Sequence, residues 1–278
     1  MKLRVATCLT LPEVDADEAP LAAALARAGF EAVLAAWDDP EVDWDAPIPT
    51  VLRSTWNYAL EVERFAAWID RVSAAAPLLN PREVVRDNLH KRYLLALQAR
   101  GVPIIPTTLV ERHATCTVAS PFVSHGAARI VIKPEVGAGS LGARVFAPSD
   151  PAALAHLQAL TWRGAALVQP YFESVTSYGE RSLVWIDGEL SHAIRKAPRL
   201  DGDSENIEGP FPIADDERTV ALAALAPYGD LLYARVDLAR DPDHQPRVME
   251  LELVEPSLFF GRQPGSADRF AAGLRRRL

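Results

Sequence analysis

Cysteine is scarce: two residues, Cys8 and Cys116, in a chain of 278, too few for the disulfide framework of a small secreted domain. Cys8 falls in an apolar run that reads as a buried strand, and Cys116 stands far along the chain. This suits a reducing compartment, the cytoplasm by default. Long apolar runs are missing as well. None approaches the roughly 20 residues that span a bilayer, and the apolar start at residues 5–11 runs at once into Glu13, Asp15, Asp17 and Glu18. Neither a signal peptide nor a membrane partner is expected. Basic charge is in deficit, with 29 Lys and Arg against 37 Asp and Glu, net −8. The cations form no stripe interleaved with aromatics, which argues against a nucleic-acid partner. Several catalytic signatures are absent. No G-x-G-x-x-G follows the first strand and no G-x-x-x-x-G-K-[ST] occurs, so neither a dinucleotide fingerprint nor a P-loop is present. Ser54, Ser140 and Ser182 lack a nucleophile-elbow context, and the six histidines stand apart, which leaves no Ser-His-Asp site and no zinc cluster.

Lysine is the most informative scarcity. Only Lys2, Lys91, Lys133 and Lys196 occur among the 29 basic residues. In a chain that uses arginine almost everywhere, a retained lysine suggests a site wanting a slim point charge, as a phosphate often does. The remaining composition, 49% apolar and 24% charged, is that of a globular chain, and its length favours two or three subdomains over one core.

Hydrophobic periodicity predicts a βαβ start, with strands at 3–9 and 31–37 around a helix at 20–27. A third strand at 50–53 runs into SerThrTrpAsnTyr, and a helix covers 61–75. From Asp87, which reads as a helix cap, the pattern predicts one helix to Gly101. Strands follow at VPIIPTTLV, at 128–134 and at 166–172. RSLVWI and ELSHAIRK are joined by Asp187-Gly188, a hairpin turn. Residues 199–212 read as a mobile, acid-rich loop. A helix at 215–226, two strands and a terminal helix from about 267 close the chain. The expected organisation is an N-terminal α/β domain at 1–86, a second unit at 87–165 and a third at 166–278.

Three constellations could carry chemistry. A hairpin between YARVDLA and RVMELELVE sets Asp237 opposite Glu250 and Arg235 opposite Glu252, all on one face. Three half-buried carboxylates would repel one another and take up protons unless a cation were present, and Mg²⁺ fits that demand. A solvated acidic face is the other reading of the same pattern. In IVIKPEVGAGSLG, Lys133 is followed by Gly137, Gly139, Ser140 and Gly142, a backbone able to approach phosphates, though such a turn can equally be structural. Arg53, Trp56 and Tyr58 combine a carboxylate-binding cation with two aromatic walls, as a small amino-acid pocket would, or as an interdomain seam would.

Together RSTWNY, NLHKRYLLAL, GVPIIPT, VIKPEVGAGSLG, VQPYF, GERSLVWIDGELSHAIRKAP, YARVDL and MELELVEPSLFF resemble the ATP-grasp superfamily, in its glutathione-synthetase-like branch. Within it the chain is most similar to the amino-acid ligase group that contains the O-ureido-serine cyclo-ligase. The resemblance implies an α/β and α+β ATP-grasp fold with ATP enclosed between two α+β subdomains. Lys91 and Lys133 would lie on the phosphates, with the loop of Gly137, Gly139 and Ser140 over them. Val168, Gln169, Pro170 and Tyr171 would line the adenine, Glu180 would bind ribose and Lys196 a phosphate. Asp237, Glu250 and Glu252 would hold Mg²⁺, while Arg235, Lys133 and Lys196 would stabilise the transferred phosphoryl group. The implied chemistry is phosphorylation of a carboxylate, then attack by an amine to give an amide, ADP and phosphate, on a small amino-acid-like substrate. Intramolecular cyclisation, a kinase that stops at phosphoryl transfer and a nucleotide-binding module are the alternatives, and a homodimer is admitted. Two departures stand out: His90 replaces an acid common before the lysine, and RLDGDSENIEGP lacks an arginine that many relatives place there.

Overall fold

The computed structural model describes residues 1–114, 128–139, 141–147, 150–197 and 206–278. Ser140, Cys116 and the acid-rich stretch at 198–205 lie outside them. The chain builds three sheets. The first is parallel, in the order β2-β1-β3-β4, from β1 (Lys2–Thr7), β2 (Glu31–Ala36), β3 (Thr50–Ser54) and β4 (Leu78–Leu79). Helix Val62–Ala75 spaces Phe65, Trp68, Ile69 and Val72 on one buried face. There Phe65 meets Trp37 edge-on at 5.0 Å and stacks on Trp68 at 5.2 Å.

The predicted helix from Asp87 to Gly101 is in fact two, Arg82–Asn88 and Tyr93–Ala99. Asp87 lies inside the first and does not cap it. The break falls where the Lys91 amide bonds the Glu135 carbonyl at 3.0 Å, a long-range bond that helical periodicity does not register. The second sheet, antiparallel, follows in the order β5-β8-β6-β7, from β5 (Thr108–Val110), β6 (Ile130–Pro134), β7 (Arg144–Phe146) and β8 (Ala166–Pro170). One of its faces, with Ile130, Ile132 and Val168, packs on helix Pro151–Arg163. The sequence reading assigned no helix there, although Asp150 caps it by accepting from the Ala152 amide at 2.9 Å, with Pro151 opening the first turn.

The third sheet is antiparallel, in the order β11-β10-β9-β12-β13, from β9 (Glu180–Ile186), β10 (Glu189–Lys196), β11 (Ile207–Phe211), β12 (Tyr233–Arg240) and β13 (Pro246–Glu252). Asp187 and Gly188 take φ 51° and 91°, as the predicted two-residue turn requires. Strand β11 corrects the expectation of a loop through 212: Lys196 pairs with Ile207 and Ala193 with Phe211. One face of this sheet is apolar. Leu183, Ala193, Val236, Leu238 and Leu251 pack there on Val220, Ala221 and Ala224 of helix Asp215–Leu225 and on Tyr93, Leu94 and Leu97. The outer edge of β13 is closed by side chains. Leu251 N–H donates to the Tyr93 hydroxyl at 2.9 Å, Leu253 N–H to Asn88 Oδ1 at 2.7 Å, and Asn88 Nδ2 to the Leu251 carbonyl at 2.9 Å.

His192 on β10 is 3% exposed, and among the described residues its Nε2 has no hydrogen-bond partner. Burial pushes its pKa from 6.5 down to about 4. The unfolded chain therefore binds a proton that the folded one refuses between those values, and stability falls by about 3 kcal/mol as pH drops through the interval. Urea unfolding of His192→Asn should show that part of the acid loss removed.

Candidate active site

The polar face of the third sheet is assembled by register. Across β10 and β9, Lys196 faces Glu180; across β9, β12 and β13, Ser182, Asp237 and Glu250 form one row and Val184, Arg235 and Glu252 the next. The predicted pairing of Asp237 with Glu250 and of Arg235 with Glu252 holds. Beyond Asp237 the register shifts by one residue, because Leu238 pairs with Val248 and leaves Met249 as a bulge. Gly179 permits the start of β9: at φ 106° a Cβ would sit 2.7 Å from the Lys196 carbonyl, so a side chain there would displace the Glu180–Lys196 pair.

Each of these carboxylates is turned to a cation. Arg235 binds Asp237 through Nε at 2.8 Å and Nη2 at 2.8 Å, and Nη2 also reaches Glu252 at 2.5 Å. Lys196 pairs with Glu180 and, at 3.3 Å, with Asp237. Lys91 Nζ lies 2.7 Å from Glu250 and donates to the Gly137 carbonyl at 2.5 Å. Burial alone would raise every carboxylate. For Asp237 the charges of Arg235 and Lys196 outweigh it and hold the acid well below its usual range. For Glu250, Lys91 and Lys133 do the same. Glu252 stays raised, since burial and the charges of Asp237 and Glu250 exceed what Arg235 returns.

Lys133 stands on β6 opposite Leu167 and so points away from the Pro151–Arg163 helix. It is 9% exposed, and burial, with Lys91 adding to it, lowers its pKa against the pull of Glu250. Among the described residues it has no ion-pair partner. After it, Gly139 and Gly142 take φ 58° and 74°, left-handed conformations open to glycine. Gln169 on β8 donates to Thr107 Oγ1 at 2.9 Å. Pro170 is buried beside it, and the Tyr171 ring lies 4.4 Å from the Arg129 guanidinium.

Arg53 is buried in a seam, and its Nε and Nη1 have no hydrogen-bond partner among the described residues. It is 2% exposed, with Nη2 donating to the Pro256 carbonyl at 2.8 Å and reaching Asp17 at 3.4 Å, between the rings of Tyr233 and Phe260. Trp56 Nε1 donates to the Glu255 carbonyl at 3.1 Å. The Asp17 carboxylate collects the amides of Leu258, Phe259 and Phe260 at 2.5, 3.0 and 2.7 Å. These bonds offset the left-handed φ of 52° at Phe259. Tyr58 is buried, and burial with the charges of Glu255, Glu250 and Glu252 raises its pKa. Of the three aromatic-pocket candidates it is the one whose hydroxyl feels the acidic cluster. Sequence reasoning missed Asp17 and Glu255; the only signal for Glu255 was one more acid after MELELV in a chain segment already singled out.

The oxygen-only set of Asp237, Glu250 and Glu252 matches the ligand preference of Mg²⁺, and the raised Glu252 marks a face short of positive charge. Among the described residues no three His, Cys, Asp or Glu side chains are gathered as a metal cage. The donors are thus of the kind Mg²⁺ prefers and share one face without forming a closed cage, and Mg²⁺ usually takes only a few carboxylates, with phosphate oxygens or water as its other ligands.

The two antiparallel sheets with this charged face between them define an ATP-grasp ligase. A family model described as the N-terminal domain of D-cycloserine synthetase DcsG matches residues 3–80. The chain is 38% identical to the cycloserine biosynthesis protein DcsG of Streptomyces lavendulae over 293 residues, covering 99% of this chain and 97% of that one. The crystal structure of D-cycloserine synthetase DcsG matches with a TM-score of 0.92 at 35% identity, over 100% of this chain and 99% of that one. The D-alanine–D-alanine ligase of Bacillus anthracis complexed with ATP shares the fold, with a TM-score of 0.69 at 16% identity, over 99% and 95%. This chain belongs to the D-cycloserine synthetase family of ATP-grasp ligases.

Removing the Arg53 guanidinium leaves Asp17 and the Pro256 carbonyl buried without it. Arg53→Ala should lower the unfolding free energy by about 3 kcal/mol, read from the urea midpoint at an unchanged m-value.

Proposed function

We propose that the enzyme activates a substrate carboxylate as an acyl phosphate and joins it to an amine, releasing ADP and phosphate. The observation that carries this reading is the buried Lys133 ammonium, which has no ion-pair partner among the described residues and faces a sheet where Lys91, Lys196 and Arg235 are already bound to carboxylates. Such a lysine is arranged for a charge brought from outside, and the terminal phosphates of ATP are that charge. Lys91 and Lys196 flank the same group, and the Gly137–Gly142 turn offers backbone to cover it. Val168, Gln169, Pro170 and Tyr171 receive the adenine, and Glu180 the ribose.

In the first step a substrate carboxylate oxygen attacks the γ-phosphorus and the bond to the β-phosphate oxygen breaks, so ADP leaves. Lys133, Lys196 and Arg235 balance the charge that spreads over the transferred oxygens. Asp237, Glu250 and Glu252 would hold Mg²⁺, which neutralises part of the triphosphate charge. In the second step the amine nitrogen attacks the acyl carbon, the C–O bond to phosphate breaks, and an amide and phosphate result. Partial closure of the charged face against water would protect the acyl phosphate between the steps.

Amine and carboxylate can belong to one molecule. The 38% identity to a cycloserine biosynthesis protein across 99% of the chain favours this intramolecular version, in which the amide closes a small ring. A cyclic product lacking one water relative to the substrate is its mass-spectrometric mark.

Turnover should produce ADP and phosphate and require Mg²⁺ together with an acid substrate; AMP and pyrophosphate would instead indicate adenylation. Phosphate retained on the product would mark a kinase. Lys133→Met should raise the KM for ATP by more than about tenfold, since a charge-assisted contact is lost. Glu250→Gln should cut turnover by two orders of magnitude or more, roughly, while circular dichroism stays that of the parent, because the apolar face behind β13 is untouched. Near-parental turnover would remove Glu250 from the site.

A further inference from the structure

The charged groups of the cleft do not all satisfy one another. Among the described residues, Lys91, Lys196 and Arg235 are joined to Glu250, Glu180, Asp237 and Glu252. Among the same residues the Lys133 ammonium and the Glu255 carboxylate have neither a hydrogen bond nor an ion pair. They are 9% and 8% exposed, so neither is solvated, and burial lowers the Lys133 pKa while burial and the charge of Glu252 push that of Glu255 up to about 8, as the cost of an uncompensated buried charge requires. Lys133 is matched by the phosphates of the reading above. Glu255 has no counterpart in that reading.

Its position is held firmly. The carbonyl of Glu255 is bound by Trp56, that of Pro256 by Arg53 and that of Ser257 by Arg235 at 3.3 Å, while Asp17 takes the next three amides. Six consecutive residues are thus fixed by side chains from the first sheet's domain and from β12. The carboxylate they present feels Glu252 and Glu250 as repelling neighbours, and Lys91 and Arg235 as attracting ones that are already paired with other acids. An acid in that setting favours a cation delivered from the cleft.

We propose that Glu255 is a specificity residue, the carboxylate that holds the ammonium group of the substrate. The proposal rests on the ligase reading for the identity of the cleft. A carboxylate confined beside other carboxylates discriminates sharply between a substituent that brings a full positive charge and one that brings only a dipole. Amino acids are therefore selected over the corresponding 2-hydroxy acids by this residue, and the RSTWNY segment acts behind it as the clamp that aims it.

The test is equilibrium binding, so that it does not depend on turnover. Calorimetric titrations of D- and L-serine and of D- and L-glycerate into the Mg-ADP-loaded enzyme should show at least one serine enantiomer preferred over its glycerate. Glu255→Gln should weaken the serine by at least about 30-fold, leave glycerate binding near its parental value and keep the Mg-ADP affinity unchanged. Glu255→Asp should restore part of the preference, which a merely structural role would not. The assignment is overturned if the parent enzyme prefers neither serine, if Glu255→Gln keeps the preference, or if nucleotide affinity falls in step. An enzyme that shows the preference yet releases no ADP with any acid would sink the ligase reading and leave the ammonium site standing.

Discussion

The structure depends on burying opposite charges together on one sheet face. Isolated in a protein interior, any one of Asp237, Glu250 or Glu252 would be driven to take up a proton. Arg235 binds two of them at once, Lys91 holds the third and Lys196 ties Asp237 to Glu180. The pairing demands that three strands keep one register, since a slip of one residue would turn every charge into the apolar core on the other side. Stability of the sheet and assembly of the charged face are therefore the same constraint.

The rigidity of that face comes from outside the sheet. Asn88 and Tyr93 close the free edge of β13, and Asn80 bonds the carbonyls of Tyr233 and Leu253 at 2.8 and 2.9 Å. The chain leaving β13 is then clamped by Asp17, Arg53 and Trp56 from the first domain. The parallel sheet thus supports the charged one by fixing the backbone beside it, and the placement of the charges follows from that support.

Much of the site was legible without coordinates. Alternation along β12 and β13 sorts charged from apolar residues, and the turn between them sets which carboxylates face one another. The rarity of lysine singled out Lys91, Lys133 and Lys196, and all three are buried near the carboxylates of the third sheet. Local signals failed where a long-range bond decided the outcome. The helix expected across residues 87–101 breaks because the Lys91 amide turns to Glu135, and β11 forms because β10 offers it a free edge.

By itself the sequence determined the kinds of group available and their spacing along each strand, because a period of two residues is a local property of extended backbone. It determined, too, the glycines and the Asp187-Gly188 turn that bend the chain between those strands. Only the tertiary structure decided which charge answers which. Composition offers Arg53 as a cation, and the fold buries it at 2% exposure beside Asp17 and the Pro256 carbonyl, with Nε and Nη1 left without a partner among the described residues. Glu255 carried no signal of its own in the sequence, and the fold encloses it with no side-chain partner among the described residues. Both outcomes turn on burial and on bonds between residues 36 to 203 positions apart, which hold the Arg53 guanidinium and the Glu255 backbone carbonyl, distances over which spacing carries no information.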